Sequence, residues 1–317
     1  MSDVVSWVVG SHGLLGRAVV RELGRRGEPV VCGTVPWGDT ESSIRSLDVF
    51  ARQLSRRHRR WRIVWCAGAG VIGSVAEALH QEIVVIDGFL DRMGDRVRED
   101  GPRDSLASLF YASSAGGAYA GSVDPPFTET TEPEPTSAYG DAKLAVEEYV
   151  KTFEASTGVP VVIGRITNLY GPGQDLSKAE GLISQLCRAH LTHRPLSVYV
   201  SLDTARDYLY VDDCARMLLE VIESVEILGG CQVKILASQR STTIASVLSE
   251  LQRVTKRRPC VVLGASPLSR IQAKDLRFRS EVMTEVDRHA STPLAAGIGS
   301  TLESLAHQMR VGRICPD

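Results

Sequence analysis

The chain has 317 residues, with 36 lysines and arginines against 38 aspartates and glutamates, which leaves a formal net charge of −2 at pH 7. This balance does not favour a nucleic-acid-binding protein, and no apolar run approaches the roughly 20 residues that a membrane-spanning helix needs. The seven cysteines lack paired metal-ligand spacing, and no signal-peptide pattern opens the sequence. We therefore expect a cytoplasmic α/β protein with reduced thiols and without a metal site, a nucleic-acid partner or a membrane segment.

A glycine-rich turn follows the first predicted strand, Asp3–Val9. It reads Gly10-Ser11-His12-Gly13-Leu14-Leu15-Gly16 and leads into a stretch of helical spacing over 17–24. Strand, glycine turn and helix in this order are typical of a dinucleotide-binding loop. In such a loop Gly10 permits the tight turn, Gly13 lets the backbone approach a pyrophosphate, and Gly16 lets the helix pack closely. The free N–H groups of the helix N-terminus would then bind the phosphates.

The second predicted strand, Pro29–Thr34, ends without the acidic residue that NAD-binding units usually place there to hold the ribose hydroxyls. Asp39 and Glu41 come later in the chain. Since a carboxylate would repel a 2′-phosphate, its absence beside Thr34 favours NADP slightly over NAD. Arg45 is a remote candidate for a contact with that phosphate.

Residues 52–62 carry six arginines and a histidine. A basic run can bind polyanions, but this one lies on a predicted helix just before a strand, and we interpret it as a solvated outer face. The strand, Ile63–Cys66, ends in Ala67-Gly68-Ala69-Gly70, and these small residues leave room for a cofactor at the carboxyl end of the strand. A helix is predicted over 74–97.

The next predicted strand, Leu106–Ala112, ends in Ser113-Ser114. A serine hydroxyl at a strand end can bind a substrate oxygen, although serine and glycine also mark ordinary turns at strand exits. A proline-rich acidic loop over 124–135 then delivers the chain to the next helix.

Tyr139 and Lys143 lie at the predicted start of that helix, with Thr136 or Ser137 available as the N-cap. A spacing of four places both side chains on one helix face. An ammonium beside a phenol stabilises the phenolate, so the pair could exchange a proton with a carbonyl or an alcohol near neutral pH. The alternative interpretation is a half-buried tyrosine and a solvated lysine on an ordinary amphipathic helix.

The combination of these motifs resembles that of the extended short-chain dehydrogenases/reductases, in their nucleotide-sugar epimerase/dehydratase group. The resemblance is carried by Gly10-x-x-Gly13-x-x-Gly16, by Ser113-Ser114, and by Tyr139-Gly140-Asp141-Ala142-Lys143 about 25 residues later. Residues 164–174, 205–213 and 293–302 are also similar to stretches of that group. The resemblance therefore extends over almost the whole chain.

The resemblance implies catalytic roles for four residues. Tyr139 would be the acid/base, and Lys143 would support it while binding the nicotinamide ribose. Ser114 or Ser113 would hold the substrate oxygen, and the offset of 25 residues from Tyr139 favours Ser114.

The resemblance also implies binding residues for a nucleotide-sugar substrate. Asn168 would contact its diphosphate and Arg206 would clamp it, since a guanidinium binds phosphate oxygens in a bidentate manner. The alternative for Arg206 is a local ion pair with Asp207. The implied cofactor, NADP or NAD, would be held by Gly10, Ser11, His12, Gly13, Leu14, Leu15, Gly16, Thr34, Ala67, Gly68 and Lys143.

The implied fold class is α/β, a Rossmann-type doubly wound parallel sheet with a smaller C-terminal substrate-binding lobe. Residues 1–167 plus about 205–229 would form the dinucleotide-binding domain, and residues 168–204 plus 230–317 would form the lobe. The helix that carries Tyr139 resembles one that often forms a dimer bundle, so we expect a homodimer.

The reaction is less closely specified. Dehydratases of the group usually carry Thr-Asp-Glu where this chain has Ser114-Ala115-Gly116, and without that acid–base pair the elimination of water lacks its proton donor. The missing acidic residue after the second strand favours reduction of a keto-sugar. So does the loop 13–16, which resembles that of several deoxysugar ketoreductases. The alternative is an epimerase with tightly bound NAD. A non-catalytic dinucleotide-binding regulator is more remote, because such regulators commonly lose the tyrosine–lysine pair.

Overall fold

The computed structural model describes residues 4–58, 60–68, 70, 76–100, 106–176, 181–264 and 273–312. Within these ranges the strands are β1 (Val4–Val9), β2 (Val30–Cys32), β3 (Arg60–Trp65), β4 (Leu106–Ser114), β5 (Val161–Ile166), β6 (Asn168–Tyr170), β7 (Leu196–Val198), β8 (Ala205–Tyr210), β9 (Cys231–Leu236), β10 (Ser241–Thr243), β11 (Val261–Leu263) and β12 (Asp275–Leu276). The helices are α1 (Leu14–Arg26), α2 (Thr40–Arg57), α3 (Ala76–Asp100), α4 (Ala115–Ala118), α5 (Ala138–Thr157), α6 (Leu182–Thr192), α7 (Val211–Leu228), α8 (Ile244–Thr255) and α9 (Leu294–Arg310), with a 3-10 helix at Thr284–His289. Asp3, Ala69 and Ser74, which the predicted elements include, lie outside the described residues.

The main sheet has six parallel strands in the order β2-β1-β3-β4-β5-β9. The direction of strand order reverses between β1 and β3, and ligands of open α/β sheets bind in the crevice at such a point, outside the carboxyl ends of the strands. This topology confirms the predicted Rossmann-type sheet. It also places the predicted glycine turn, which follows β1, beside the residues that follow β3.

Helices cover both faces of the main sheet, which is why its strands read as nearly continuous apolar runs. Apolar residues of α2, α3 and α5 pack on one face around Trp7 and Trp61, and those of α1 and α7 pack on the other. All six residues of β1 are buried. None of the helices in the described ranges combines the length and the apolar character that crossing a membrane requires.

The remaining elements form a second group beside the carboxyl edge of the main sheet. Strands β6, β10 and β12 pair with β8, strand β7 pairs with β11, and α6, α8 and α9 share an apolar core. Two strands bear on the predicted boundary between the two parts. Strand β9 completes the main sheet by pairing with β5, although residues from 230 onward were expected in the lobe. Conversely, β8 belongs to the smaller sheet, and only the following α7 returns to the main one.

The basic run over 52–62 also differs from its interpretation at one residue. Arg52 and Arg56 are exposed on α2 as expected, but the strand begins at residue 60, earlier than predicted, and the Arg62 side chain is only 2% exposed. It forms an ion pair with Glu226 of α7, with 3.0 Å between Nε and Oε1. An acidic partner supplied by a distant helix makes this buried arginine tolerable, because a buried charge needs a paired counter-charge.

Candidate active site

Two of the three glycines in the turn after β1 are required by the packing of the protein itself. Gly10 adopts a φ of 82°, and a Cβ there would lie 2.6 Å from the backbone nitrogen of Ala67. A Cβ on Gly16 would lie 2.2 Å from the carbonyl oxygen of Gly10. These distances show how closely the ends of β1 and β3 and the start of α1 approach one another.

Gly13 is different, because no contact with the described residues requires a glycine there. Its φ of −73° and ψ of 174° suit any residue, and the nearest atom to an added Cβ is the Gly10 carbonyl oxygen at 3.4 Å. The residue is exposed at the N-terminus of α1, where no side chain caps the helix and no acidic residue lies in the first turn. An open, uncapped helix N-terminus suits the phosphates of a dinucleotide.

The end of β2 offers few charged groups to a cofactor ribose. Thr34 is exposed just beyond the strand. Asp39 caps α2, where its carboxylate accepts a hydrogen bond from the Ser42 N–H at 2.7 Å and its pKa is lowered by hydrogen bonds from Ser42. Arg45 forms an ion pair with Glu41 at 2.7 Å. Each of these two charged side chains thus already has a partner within α2.

Helix α5 begins as the sequence predicts, with Ser137 as the N-cap accepting a hydrogen bond from the Gly140 N–H at 3.3 Å. Tyr139 is half-buried in the first turn. Its ring lies between two glycines, since a Cβ on Gly117 or on Gly70 would approach ring carbons at 3.2 Å and 3.4 Å respectively. The glycines after β3 and β4 therefore make the slot that the phenol occupies.

Lys143 is buried one turn further along α5, with its Nζ 5.7 Å from the centre of the Tyr139 ring. The Nζ also lies 5.4 Å from the ring centre of Tyr111 and 2.9 Å from Oε1 of Glu82, with which it forms an ion pair. Burial by itself lowers the pKa of Lys143, but the neighbouring Tyr111, Tyr139 and Glu82 outweigh burial and raise that pKa above its ordinary value. The lysine is therefore charged at neutral pH.

The two serines at the end of β4 have different surroundings. Ser113 is buried, and its hydroxyl donates a hydrogen bond to Glu147 at 2.5 Å. Glu147 in turn forms a buried ion pair with Arg165 at 2.7 Å. Ser114 is half-buried, and its hydroxyl accepts a hydrogen bond from the Gly117 N–H at 3.1 Å. Accepting that bond leaves its own hydroxyl hydrogen free to be donated to another oxygen.

Ser114 and Tyr139 flank the same glycine. An added Cβ on Gly117 would lie 3.3 Å from the Ser114 Oγ and 3.2 Å from Cε1 of Tyr139. The carboxyl ends of β3 and β4 and the start of α5 thus bring together Gly68, Ser114, Tyr139 and Lys143. The sequence did not point to Glu82, which joins this group from α3, because a single glutamate in a long predicted helix carries no distinguishing signal.

Asn168 and Arg206 lie on the paired strands β6 and β8. The Asn168 side-chain amide donates a hydrogen bond to the Asp207 carbonyl oxygen at 3.0 Å. Arg206 donates to the carbonyl oxygen of Ala205 at 2.8 Å, and burial lowers its pKa. No ion pair of Arg206 occurs within the described part of the chain.

The expected alternative for Arg206 was a pair with Asp207. The buried Asp207 carboxylate instead accepts hydrogen bonds from the Thr167 hydroxyl at 2.8 Å and from the Ser238 N–H at 2.8 Å. Its hydrogen-bond partners therefore come from the residue between β5 and β6 and from the loop after β9, and the neighbouring Arg206 guanidinium is not among them.

Comparison with known proteins agrees with this geometry. The sequence model of the NAD dependent epimerase/dehydratase family matches residues 7–230. An uncharacterised UDP-glucose epimerase of Bacillus subtilis is 28% identical over 171 residues, an alignment that covers 53% of this chain and 50% of the relative. The chain thus spans about half the length of that relative.

Two solved structures are similar over nearly their full length. The UDP-glucose 4-epimerase of Thermotoga maritima, solved with UDP-glucose, has a TM-score of 0.79 and 22% identity, with 96% of this chain and 99% of the other covered. The UDP-glucose 4-epimerase of Thermus thermophilus, solved with NAD, has a TM-score of 0.75 and 23% identity, with 95% and 99% covered. At this level of identity the two structures establish a shared fold.

Proposed function

We propose, since the chain belongs to the NAD-dependent epimerase/dehydratase family, that it is an epimerase that inverts one carbon of a nucleotide-activated sugar. The observation that carries the proposal is the placement of Ser114 and Tyr139 across Gly117, with the charged Lys143 behind the phenol ring. A hydroxyl, a phenol and an ammonium in this order suit reversible oxidation of a sugar alcohol.

The residues that would hold the cofactor fit a dinucleotide. The exposed Gly13 at the uncapped start of α1 would admit its diphosphate, and Thr34, Ala67 and Gly68 would line the crevice at the ends of β2 and β3. Lys143 would bind the nicotinamide ribose. When bound, the nicotinamide would supply a reversible hydride acceptor for the sugar carbon.

Tyr139 would move the proton that accompanies this hydride. As the phenolate it removes the proton from the sugar hydroxyl, and as the phenol it returns a proton to the ketone oxygen. The Lys143 ammonium lies beside this phenol, with its Nζ 5.7 Å from the centre of the ring. Ser114 would donate its hydroxyl hydrogen to the same substrate oxygen, whereas the Ser113 hydroxyl is committed to Glu147. We therefore assign Ser114 as the substrate-binding serine and Ser113 a role in packing.

Arg206 and Asn168 would bind the diphosphate of the nucleotide sugar. Support comes from the Arg206 guanidinium, which donates only to backbone carbonyls among its hydrogen bonds in the described ranges. A charged donor that forms no ion pair within the described residues and is half-buried is well suited to an anionic ligand.

Dehydration is disfavoured by the residues after Ser114. Positions 115 and 116 are alanine and glycine, so the carboxyl groups that dehydratases of this kind use to eliminate water are missing there. The carboxylate that does lie nearby, Glu82, is engaged by Lys143.

Reduction of a keto-sugar with NADPH is the second candidate. It is favoured by the end of β2, where Thr34 replaces the usual acidic residue and the Asp39 carboxylate is used as a helix cap. Epimerisation is favoured over this reduction because the relative from Bacillus subtilis and both solved neighbours are named as epimerases.

We further propose a homodimer in the cytoplasm. The exposed Val84 on α3 and Tyr149 on α5 lie on the two helices that pack side by side on one face of the main sheet, and such apolar side chains suit a subunit contact. The six cysteines in the described ranges are all free thiols.

The test of the proposal combines two measurements on the purified protein. Mass spectrometry of the cofactor released on denaturation should find NAD, and UDP- or dTDP-hexoses should be converted to isomers of unchanged mass without added cofactor. An empty site that turns over a nucleotide-linked keto-sugar only with NADPH, giving a product with two additional hydrogen atoms, would establish the reductase instead. Failure to bind either dinucleotide would overturn both functions.

A further inference from the structure

We propose that Glu82 is a positioning and charge-balancing residue that cancels the charge of Lys143 and thereby lets the site accept the oxidised, cationic form of the cofactor. The inference rests on the proposed function, because it assumes that Lys143 binds the nicotinamide ribose. It adds to that function a residue which determines how strongly the protein prefers the oxidised over the reduced dinucleotide.

The contact between the two residues is partly buried, and a second hydrogen bond holds the Glu82 carboxylate. Oε1 of Glu82 lies 2.9 Å from Nζ of Lys143, and the two side chains are 20% and 7% exposed. The other carboxylate oxygen of Glu82 accepts a hydrogen bond from the Gly70 N–H at 3.2 Å. This second bond fixes the carboxylate to the loop after β3. The group that binds the lysine therefore has a fixed position of its own.

The pair lies directly over the carboxyl end of β3. A Cβ on Gly68 would be 3.1 Å from both Glu82 Oε1 and Lys143 Nζ. Gly68 follows Ala67, whose backbone nitrogen approaches Gly10 of the glycine turn. The ion pair therefore occupies the same crevice between β1 and β3 in which a dinucleotide would bind, rather than a remote part of the fold.

The charge of Glu82 matters because the two redox states of nicotinamide differ in charge. The oxidised ring is a cation and the reduced ring is neutral. A lone buried ammonium repels the cation and not the neutral ring, whereas an ammonium paired with a carboxylate presents a nearly neutral group to both. Burial makes this difference large, because water screens a buried charge only weakly.

Two substitutions should have opposite effects on the preference for the oxidised cofactor. Glu82→Gln leaves Lys143 without its counter-charge, so the dissociation constant of the oxidised cofactor should rise relative to that of the reduced cofactor. Lys143→Met leaves Glu82 negative, so this ratio should fall below the wild-type value. The double variant Glu82→Gln/Lys143→Met is uncharged at both positions, and its ratio should return towards that of the wild type.

The experiment measures the dissociation constants of NAD and NADH, or of NADP and NADPH if the wild type binds those, by fluorescence titration of each variant. We expect the ratio of oxidised to reduced constants to rise about tenfold or more in Glu82→Gln, which corresponds to about 30 mV in the two-electron potential of the bound cofactor. Glu82→Asp should keep most of the wild-type ratio. Glu77→Gln, which removes an exposed carboxylate from the first turn of the same helix, should leave it unchanged.

Equal losses of affinity for the two redox states in Glu82→Gln would overturn the inference and give Glu82 a purely structural role. The same conclusion would follow if both single variants shifted the ratio in one direction. Should Glu82→Gln fail to fold, the Lys143→Met and double variants still test the sign. If the wild type bound neither redox state, the proposed function itself would have failed, and that result is distinct from an unchanged ratio.

Discussion

Gly13 provides a sharp test of the proposed cofactor site, because no contact with the described residues requires a glycine there. We expect Gly13→Val to abolish dinucleotide binding and to leave the fold intact. The backbone at this position is extended, with φ −73° and ψ 174°, and the nearest atom to an added Cβ is 3.4 Å away. The substitution should therefore change the free energy of unfolding by no more than about 1 kcal/mol, the size of ordinary glycine replacements at compatible positions.

The effect on binding should be much larger. In the proposed site, a side chain at residue 13 would stand where phosphate oxygens would reach the N–H groups of α1. A hydrogen bond to a charged group contributes about 1.5–3 kcal/mol, so losing two of them would weaken the cofactor by roughly a hundredfold or more. Isothermal titration calorimetry with NAD and NADP measures this, and urea denaturation of the same samples measures the unfolding free energy.

Gly16→Ala is the matched control, since it should behave in the opposite way. Its Cβ would lie 2.2 Å from the Gly10 carbonyl oxygen, and overpacking of this kind costs about 1–3 kcal/mol of stability. Gly13→Val with a dissociation constant within threefold of the wild type would refute the placement of the diphosphate. A Gly16→Ala protein as stable as the wild type would refute the close approach of α1 to the turn.

Three further predictions concern the substrate side of the site. Tyr139→Phe keeps the ring between its two glycines but removes the exchangeable proton, so it should bind both ligands and lose about 10²–10⁴ in initial rate; a rate within threefold of the wild type would remove Tyr139 from the chemistry. Arg206→Ala should raise the KM for a nucleotide sugar about ten- to a hundredfold, from the loss of roughly 1.5–3 kcal/mol, and leave cofactor affinity unchanged. Arg277→Ala is the control for this variant, because it removes an arginine that is paired with Asp275. Equal increases of KM in the two variants would argue that Arg206 does not bind the diphosphate. Ser114→Ala should lower kcat with little change in melting temperature, whereas Ser113→Ala should lower stability by about 1–3 kcal/mol because it removes a donor to a buried carboxylate; the reverse pattern would exchange their roles.

Much of the main domain follows from local features of the sequence. The turn after β1, the start of α5 at Ser137 and the serines that end β4 were all predicted within a residue or two. These features are local because they depend on the dihedral freedom of glycine, on helix capping and on a spacing of four along one helix. Neighbours in the chain impose each of them, so they can be read without knowledge of the fold.

The tertiary structure decided whatever depends on partners far apart in the chain. The sequence left Ser113 and Ser114 as alternatives for the serine that binds the substrate oxygen. In the structure, Ser113 donates its hydroxyl hydrogen to Glu147 on a later helix. Likewise Glu82 meets Lys143 across 61 residues, and no pattern within α3 marks it.

The differences between the structure and the sequence-based expectations have the same origin. Arg62 was assigned to a solvated face because its counter-ion lies 164 residues away on α7. Strand β9 was assigned to the lobe because an apolar strand does not reveal which sheet edge it will join. Local sequence determines the conformation of a segment, whereas the burial and charge of a side chain depend on which distant segments pack against it.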